Sequence, residues 1–213
     1  MNYIGSKYSL LDFIYSSIEK TLAAHGDERE PSKLKFAELL AGTGVVSAFF
    51  KDKGFSVAAN DIQYYSYVIL KHILENNDLD EERTNNLIEE LNSLDGIEGF
   101  IYKNYSFTGS KDEEFQRMYF SDENAKKCDA IRTAIEEKHV KGEITDGEYY
   151  FLLASLINSI DKYANTASVY GAFLKTLKRS AQKEMVLTPY PLVKGTAEYH
   201  AYNKDISELI TEI

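Results

Sequence analysis

A single cysteine, Cys128, in 213 residues leaves no internal disulfide to form, which fits a reducing compartment. Only four histidines occur, His25, His72, His139 and His200, and none stands at metal-ligand spacing, so no metal site is indicated. Long apolar runs are missing as well. The N-terminal helical stretch carries Lys7, Asp12, Glu19 and Lys20, which excludes a signal peptide and a membrane span there; a cytoplasmic location with no membrane contact is expected. Neither low-complexity segments nor internal repeats stand out. What remains is a chain with 44% apolar content, enough to bury a core as one large domain or two small ones.

Basic charge is also in deficit, with a net charge of -10. Affinity for nucleic acid comes largely from Lys and Arg at phosphates, so the sum argues against such a partner. The distribution argues otherwise. Residues 162–194 hold six basic side chains (Lys162, Lys175, Lys178, Arg179, Lys183 and Lys194) against one acid, Glu184, while acids concentrate in residues 78–98. One face is thus able to meet a polyanion while the other repels it, although a solvated basic helix face gives the same pattern.

Phe36 to Ser47 is the most informative stretch, because an apolar strand run ends in Gly42-Thr43-Gly44 where a helix begins. A second strand run ends in Asn60-Asp61-Ile62. A glycine turn after one strand and an acid after the next are how a doubly wound sheet holds a nucleoside, the acid accepting from ribose hydroxyls. A tight turn with no ligand gives the same three residues. The third glycine of the dinucleotide fingerprint is replaced by Ser47, which disfavours a nicotinamide or flavin oxidoreductase and favours a mononucleoside-like ligand such as S-adenosylmethionine.

With Tyr3-Ile4-Gly5-Ser6-Lys7 added, three blocks stand in order: YIGSK at 3–7, ELLAGTG at 38–44 and NDI at 60–62. Together they resemble the adenine-specific (N6) DNA methyltransferases of the group in which cofactor motifs precede the recognition region and an Asp-Pro-Pro-Tyr motif comes last. A fourth block, Tyr202 to Ile206, resembles that family's third-strand end, and Arg117 to Phe120 and Ala164 to Gly171 resemble segments of a subgroup. The resemblance implies an α/β fold: a Rossmann-like S-adenosylmethionine-binding sheet, incomplete at about three strands, with a mainly helical inserted recognition region. It divides the chain into a cofactor half-domain, residues 1–77 and 196–213, and a target-recognition region, residues 78–195.

Two departures from the family pattern stand out. Leu40 fills a place that often holds Phe, which should keep the packing and lose an aromatic contact to the cofactor. Asp-Pro-Pro-Tyr itself does not occur. An adenine amine is a poor nucleophile, so the base must be flipped out and its amine gripped by acceptors beside an aromatic. Thr188-Pro189-Tyr190-Pro191 lacks the acid and precedes the third-strand block, and reads as a proline-fixed connection. The expectation is a truncated or split enzyme, inactive alone and without a catalytic residue of its own. A C-terminal half or second subunit would supply the motif against the apolar edge of the first strand.

The resemblance implies cofactor contacts at Tyr3, Lys7, Glu38, Gly42, Thr43, Gly44, Asp61, Ile62, Asp205 and Ile206. Asp61 is the ribose acceptor, and Asp205 and Ile206 close over the adenine of S-adenosylmethionine. Lys7 faces the methionine carboxylate or the target-base pocket; a solvated first-turn lysine is the plain reading. For double-stranded DNA, Lys162, Lys175, Lys178 and Arg179 are phosphate candidates; Arg117 and Asn165 are base candidates that could equally be structural, the structural role ranking first for Asn165. A cognate restriction endonuclease in a restriction-modification pair is a further expected partner. A non-catalytic methyltransferase-like subunit that binds DNA or a partner is the alternative function.

Periodicity places helices over residues 7–24, 45–53, 64–75, 80–94, 121–140, a buried one behind the Thr145-x-x-Glu148 capping box, and a cationic one over residues 170–183. Strands are expected at residues 34–40, 57–59 and 199–202.

Overall fold

Short β-prone runs alternate with amphipathic stretches at the start of the chain. In the computed structural model, which describes residues 5–167 and 171–212, they become a parallel sheet with helical crossovers. Two compact units form: Gly5–Asp78 with Pro191–Ile213, and Leu79–Tyr190.

The first unit contains α1 (Leu11–Ala24), β1 (Lys35–Glu38), α2 (Val45–Asp52), β2 (Ser56–Asn60), α3 (Tyr64–Glu75), β3 (Tyr199–Tyr202) and α8 (Ile206–Leu209). Its strands lie in the order β1-β2-β3, all parallel, with Phe36 opposite Val57 and Val57 opposite Tyr199. Parallel neighbours require long crossovers, here α2 and then α3 followed by the whole second unit. Val46 and Phe50 of α2, Val57 and Ala59 of β2, and Val68, Ile69, Leu70, Ile73 and Leu74 of α3 are all buried. Phe36 stacks on Phe50 at 3.9 Å and 6°.

The two sheet edges differ. The Ala201 amide of β3 donates to the Glu75 carboxylate of α3 at 2.9 Å, a contact that occupies one edge donor of this strand. Among the described residues β1 pairs with β2 alone, and its exposed residues are Lys35 and Ala37. The expected apolar edge is therefore mixed in character, with Glu38 buried. No residue of α1 is fully buried, and Phe13 is 69% exposed. Leu40, expected to pack, is 65% exposed instead, because it follows β1 into the turn.

The second unit holds α4 (Glu81–Ser93), α5 (Phe100–Tyr105), α6 (Asp122–Val140) and α7 (Asp146–Tyr163). Asp80 and Ser121 cap α4 and α6, accepting from the amides of Arg83 and Asn124, and Thr145 with Glu148 closes a complete capping box on α7. Leu152 and Leu156 of α7 pack with Leu91, Ile131, Ile135 and Met185 in one core, so α7 is central, as its apolar sequence implies. α5 has no clear periodic signal. It forms because the buried Asp129 carboxylate accepts from the amides of Ile101 and Tyr102 at its N-terminus, at 2.9 and 2.7 Å.

The helix expected over residues 170–183 does not form: described residues 171–183 are turns and bends. The amides of Leu174 and Lys178 go to the backbone and side-chain oxygens of Asn165, not to carbonyls four residues back. Tyr170 lies outside the described residues.

Cys128 is sealed in the core, and burial pushes its thiol up to about 12. The thiolate is the reactive form, so the folded protein should resist alkylation near pH 8 and label fully in denaturant. Equal labelling rates in both conditions, read by mass spectrometry, would contradict this burial.

Candidate functional site

Parallel strands place all their C-terminal ends on one side, and the loops after β1, β2 and β3 meet there. The loop after β1 turns sharply at Gly42 and Gly44, whose φ angles are +56° and +70°, a region L residues avoid. A Cβ on Gly44 would also stand 2.9 Å from Leu70 Cδ2 and 3.0 Å from Ile73 Cδ1, so those side-chain ends would have to shift to admit one. Gly44 caps α2, and no side chain takes that role. The positive end of the α2 dipole therefore points toward the turn.

Asp61, at the end of β2, is the clamp of this turn. Its Oδ2 accepts from the Gly42 amide at 2.8 Å, and its Oδ1 accepts from the Gln63 amide at 2.9 Å. Each carboxylate oxygen keeps capacity for another donor. Ile62 beside it is 57% exposed.

Glu38, at the end of β1, is buried. Its Oε2 accepts from the Ser47 hydroxyl at 2.6 Å and the Ser47 amide at 3.1 Å, and its Oε1 accepts from Lys7 Nζ at 3.3 Å. Lys7 also donates to the Leu40 carbonyl at 3.2 Å. Burial pushes the Glu38 carboxyl above the usual range, while Ser47 and Lys7 pull against that shift. Lys7, whose side chain stays 43% exposed, thus has one acceptor at the end of β1 and one in the turn after it. Ser47 drew notice in the sequence only for not being glycine; its two bonds hold Glu38.

Asparagines stitch the three loops. Asn60 Nδ2 donates to the carbonyls of Leu39 and Lys204, and its Oδ1 accepts from the Lys204 amide. Asn203 Nδ2 donates to the carbonyls of Asp61 and Ile62. Neither carries a signal in sequence beyond membership of its motif, since the partners are backbone groups of other loops. Asp205 caps α8, its Oδ1 accepting from the Ser207 amide and hydroxyl, which hold its carboxyl below the usual range. Ile206 is 37% exposed. Lys7, Glu38, Gly42, Thr43, Gly44, Asp61, Ile62, Asp205 and Ile206 thus all lie in the first unit; Tyr3 lies outside the described residues.

The six expected DNA contacts lie in the second unit. Lys162, Lys175 and Arg179 are exposed. Lys178 is half-buried, and its ammonium donates to the Thr166 carbonyl. Arg117 donates to the Asn104 carbonyl at 3.2 Å. Asn165, for which the sequence puts a structural role first, is fully buried: its Nδ2 donates to the carbonyls of Met118 and Leu174, and its Oδ1 accepts from the Lys178 amide. An amide spent on three backbone groups reads no base. Among the described residues no cluster of His, Cys, Asp and Glu is arranged to hold a metal, and no helix is long and apolar enough to cross a membrane.

Comparison with known proteins covers nearly the whole chain. Residues 3–213 match the model of the D12 class N6 adenine-specific DNA methyltransferases. The chain is 43% identical over its full length to the type II methyltransferase M.NlaIII of Neisseria lactamica, of which it spans 61%. It is 37% identical over 98% of its length to the type II methyltransferase M.CviAII of Paramecium bursaria Chlorella virus 1, spanning 60% of that protein. Against the type II methyltransferase M.FokI of Planomicrobium okeanokoites, the identity is 32% over the full chain and 32% of the relative. No solved structure matches.

Proposed function

The chain belongs to the D12 class of N6 adenine-specific DNA methyltransferases, and on that premise we propose that it takes part in transfer of a methyl group from S-adenosylmethionine to adenine N6 in duplex DNA. The first unit holds the methyl donor and the second meets the DNA. The observation that carries this reading is the Asp61 clamp on Gly42, which fixes a glycine turn and a carboxylate side by side at the C-terminal ends of parallel strands.

The residues present fit S-adenosylmethionine. Asp61 retains acceptor capacity for ribose hydroxyls, exposed Ile62 and Ile206 offer apolar surface for an adenine ring, and Asp205 keeps Oδ2 for its amine. Thr43 and the start of α2, which no side chain caps, face the methionine end, where Lys7 supplies a cation and Glu38 an acceptor. When bound, the cofactor supplies a sulfonium-activated methyl group. The protein's part is orientation: Asp61, Asn60 and Asn203 lock the three loops so that the pocket is formed before the ligand arrives, which lowers the cost of binding.

The grip on the flipped adenine amine comes from an Asp-Pro-Pro-Tyr strand, in a C-terminal segment or a second subunit, added at the free edge of β1. Arg117, Lys162, Lys175, Lys178 and Arg179 contact the DNA, a cognate restriction endonuclease shares the target sequence, and the setting is cytoplasmic. Incubation with labelled S-adenosylmethionine and duplex DNA tests the reading, with and without a polypeptide carrying that strand. Label should enter adenine only when both are present. Label entering with this chain alone would place the grip within it, and none in any combination would favour a non-catalytic DNA- or partner-binding subunit.

A further inference from the structure

Four aromatic rings in the second unit form a continuous ladder. Phe100 and Tyr105 of α5 meet at 6.1 Å between ring centres, Tyr105 meets Tyr119 at 5.7 Å, and Tyr119 meets Phe173 at 5.2 Å. Tyr119 packs against the core of Tyr102, Phe120, Ala125 and Ala164, but burial does not explain the outer end of the ladder, since Phe100 is 66% and Tyr105 37% exposed. Cations flank the rings: Lys103 is exposed on α5, Arg117 stands two residues before Tyr119, and Lys175 and Arg179 follow Phe173, both exposed.

The ladder is rigid for reasons visible in the backbone. Asp129 holds the start of α5, and the amides of Tyr119 and Phe120 donate to the Tyr105 carbonyl. Asn165 joins the remaining pieces: its amide donates to the Tyr119 carbonyl, its side chain to those of Met118 and Leu174, and its Oδ1 accepts from Lys178. One buried asparagine therefore sets the register of the cationic segment against the aromatic one. Asp112, Glu113 and Glu114 precede Arg117 on the same loop and disfavour phosphate there, which leaves the Phe173 end, with Lys175 and Arg179, as the end that suits a DNA backbone.

Resting on the function proposed above, we infer that this ladder is a duplex-DNA contact surface in which rings meet bases, Lys175 and Arg179 meet phosphates, and Asn165 is a positioning residue. In a duplex the base faces are already stacked, so the rings meet base edges and thymine methyls in a groove, an apolar contact with little dependence on salt, whereas phosphate contacts release counterions and weaken as salt rises. The two kinds of contact are separable by experiment. Binding of a fluorescent mixed-sequence duplex is followed by anisotropy across a salt series. Phe100→Ala with Tyr105→Ala should weaken binding about tenfold and leave the salt slope unchanged. Lys175→Ala with Arg179→Ala should weaken binding and reduce the slope by about two. Wild-type affinity in the ring variant, or an unaltered slope in the cation variant, overturns the inference. So does a wild type that ignores the duplex; titrating S-adenosylmethionine into that same wild type then shows separately whether the methyl-donor half of the proposed function stands.

Discussion

Lys51→Ala is expected to lower the unfolding free energy by about 3–5 kcal/mol, seen as a lower urea midpoint with an unchanged slope. Lys51 sits on the buried side of α2 with 1% of its surface exposed. Its ammonium donates to the carbonyls of Ile73, Leu74 and Asn76 at 2.7, 2.9 and 3.4 Å, and lies 4.6 Å from the centre of the Tyr199 ring. Those carbonyls belong to the C-terminal end of α3, where the helix has no partners of its own to offer. Burial pulls the ammonium down to about 8, yet the helix end and the ring face both favour a cation. Removing it leaves three acceptors unsatisfied and opens a cavity between α2, α3 and β3. Lys51→Met separates the two effects, because it restores volume and no donor; a loss of about 2 kcal/mol is expected. A loss under about 1 kcal/mol for alanine would mean that water satisfies the helix end unaided.

Asp61→Ala is expected to weaken S-adenosylmethionine by about 30- to 100-fold in a calorimetric titration, on the reading of this site as the methyl-donor pocket. The substitution removes a ribose acceptor and also releases the Gly42 and Gln63 amides that shape the turn. Asp61→Asn should be nearly as harmful. One oxygen of the side chain is replaced by a donor, which would then face a backbone amide that is itself a donor. Asparagine binding like wild type, with alanine impaired, would show that the turn needs only one of its two anchors. Equal affinity in all three proteins would remove the ribose assignment.

Elements governed by local periodicity were legible. The stretch from Tyr64 to Glu75 forms the expected helix, the Thr145 capping box opens α7, and β3 runs over Tyr199–Tyr202, because each is set by side chains within a few residues of one another. The glycine turn and Asp61 were legible as a motif, and their joining through one hydrogen bond was not. α5 escaped notice because its start is held by Asp129, far along the chain.

Asn165 marks the boundary between the two kinds of information. As a residue type it suits adenine, and the basic residues after it suit a helix with a cationic face; sequence alone put Asn165 in a segment, Ala164 to Gly171, that resembles one of a DNA methyltransferase subgroup, and those basic residues in the inserted recognition region. Only the tertiary structure decided that Asn165 is buried and that the segment from Gly171 to Lys183 is not helical. The physical reason is satisfaction of backbone polar groups. The side chain of buried Asn165, with two donors and an acceptor, bonds the Met118 and Leu174 carbonyls and the Lys178 amide, and so takes up backbone groups that a helix would otherwise have paired.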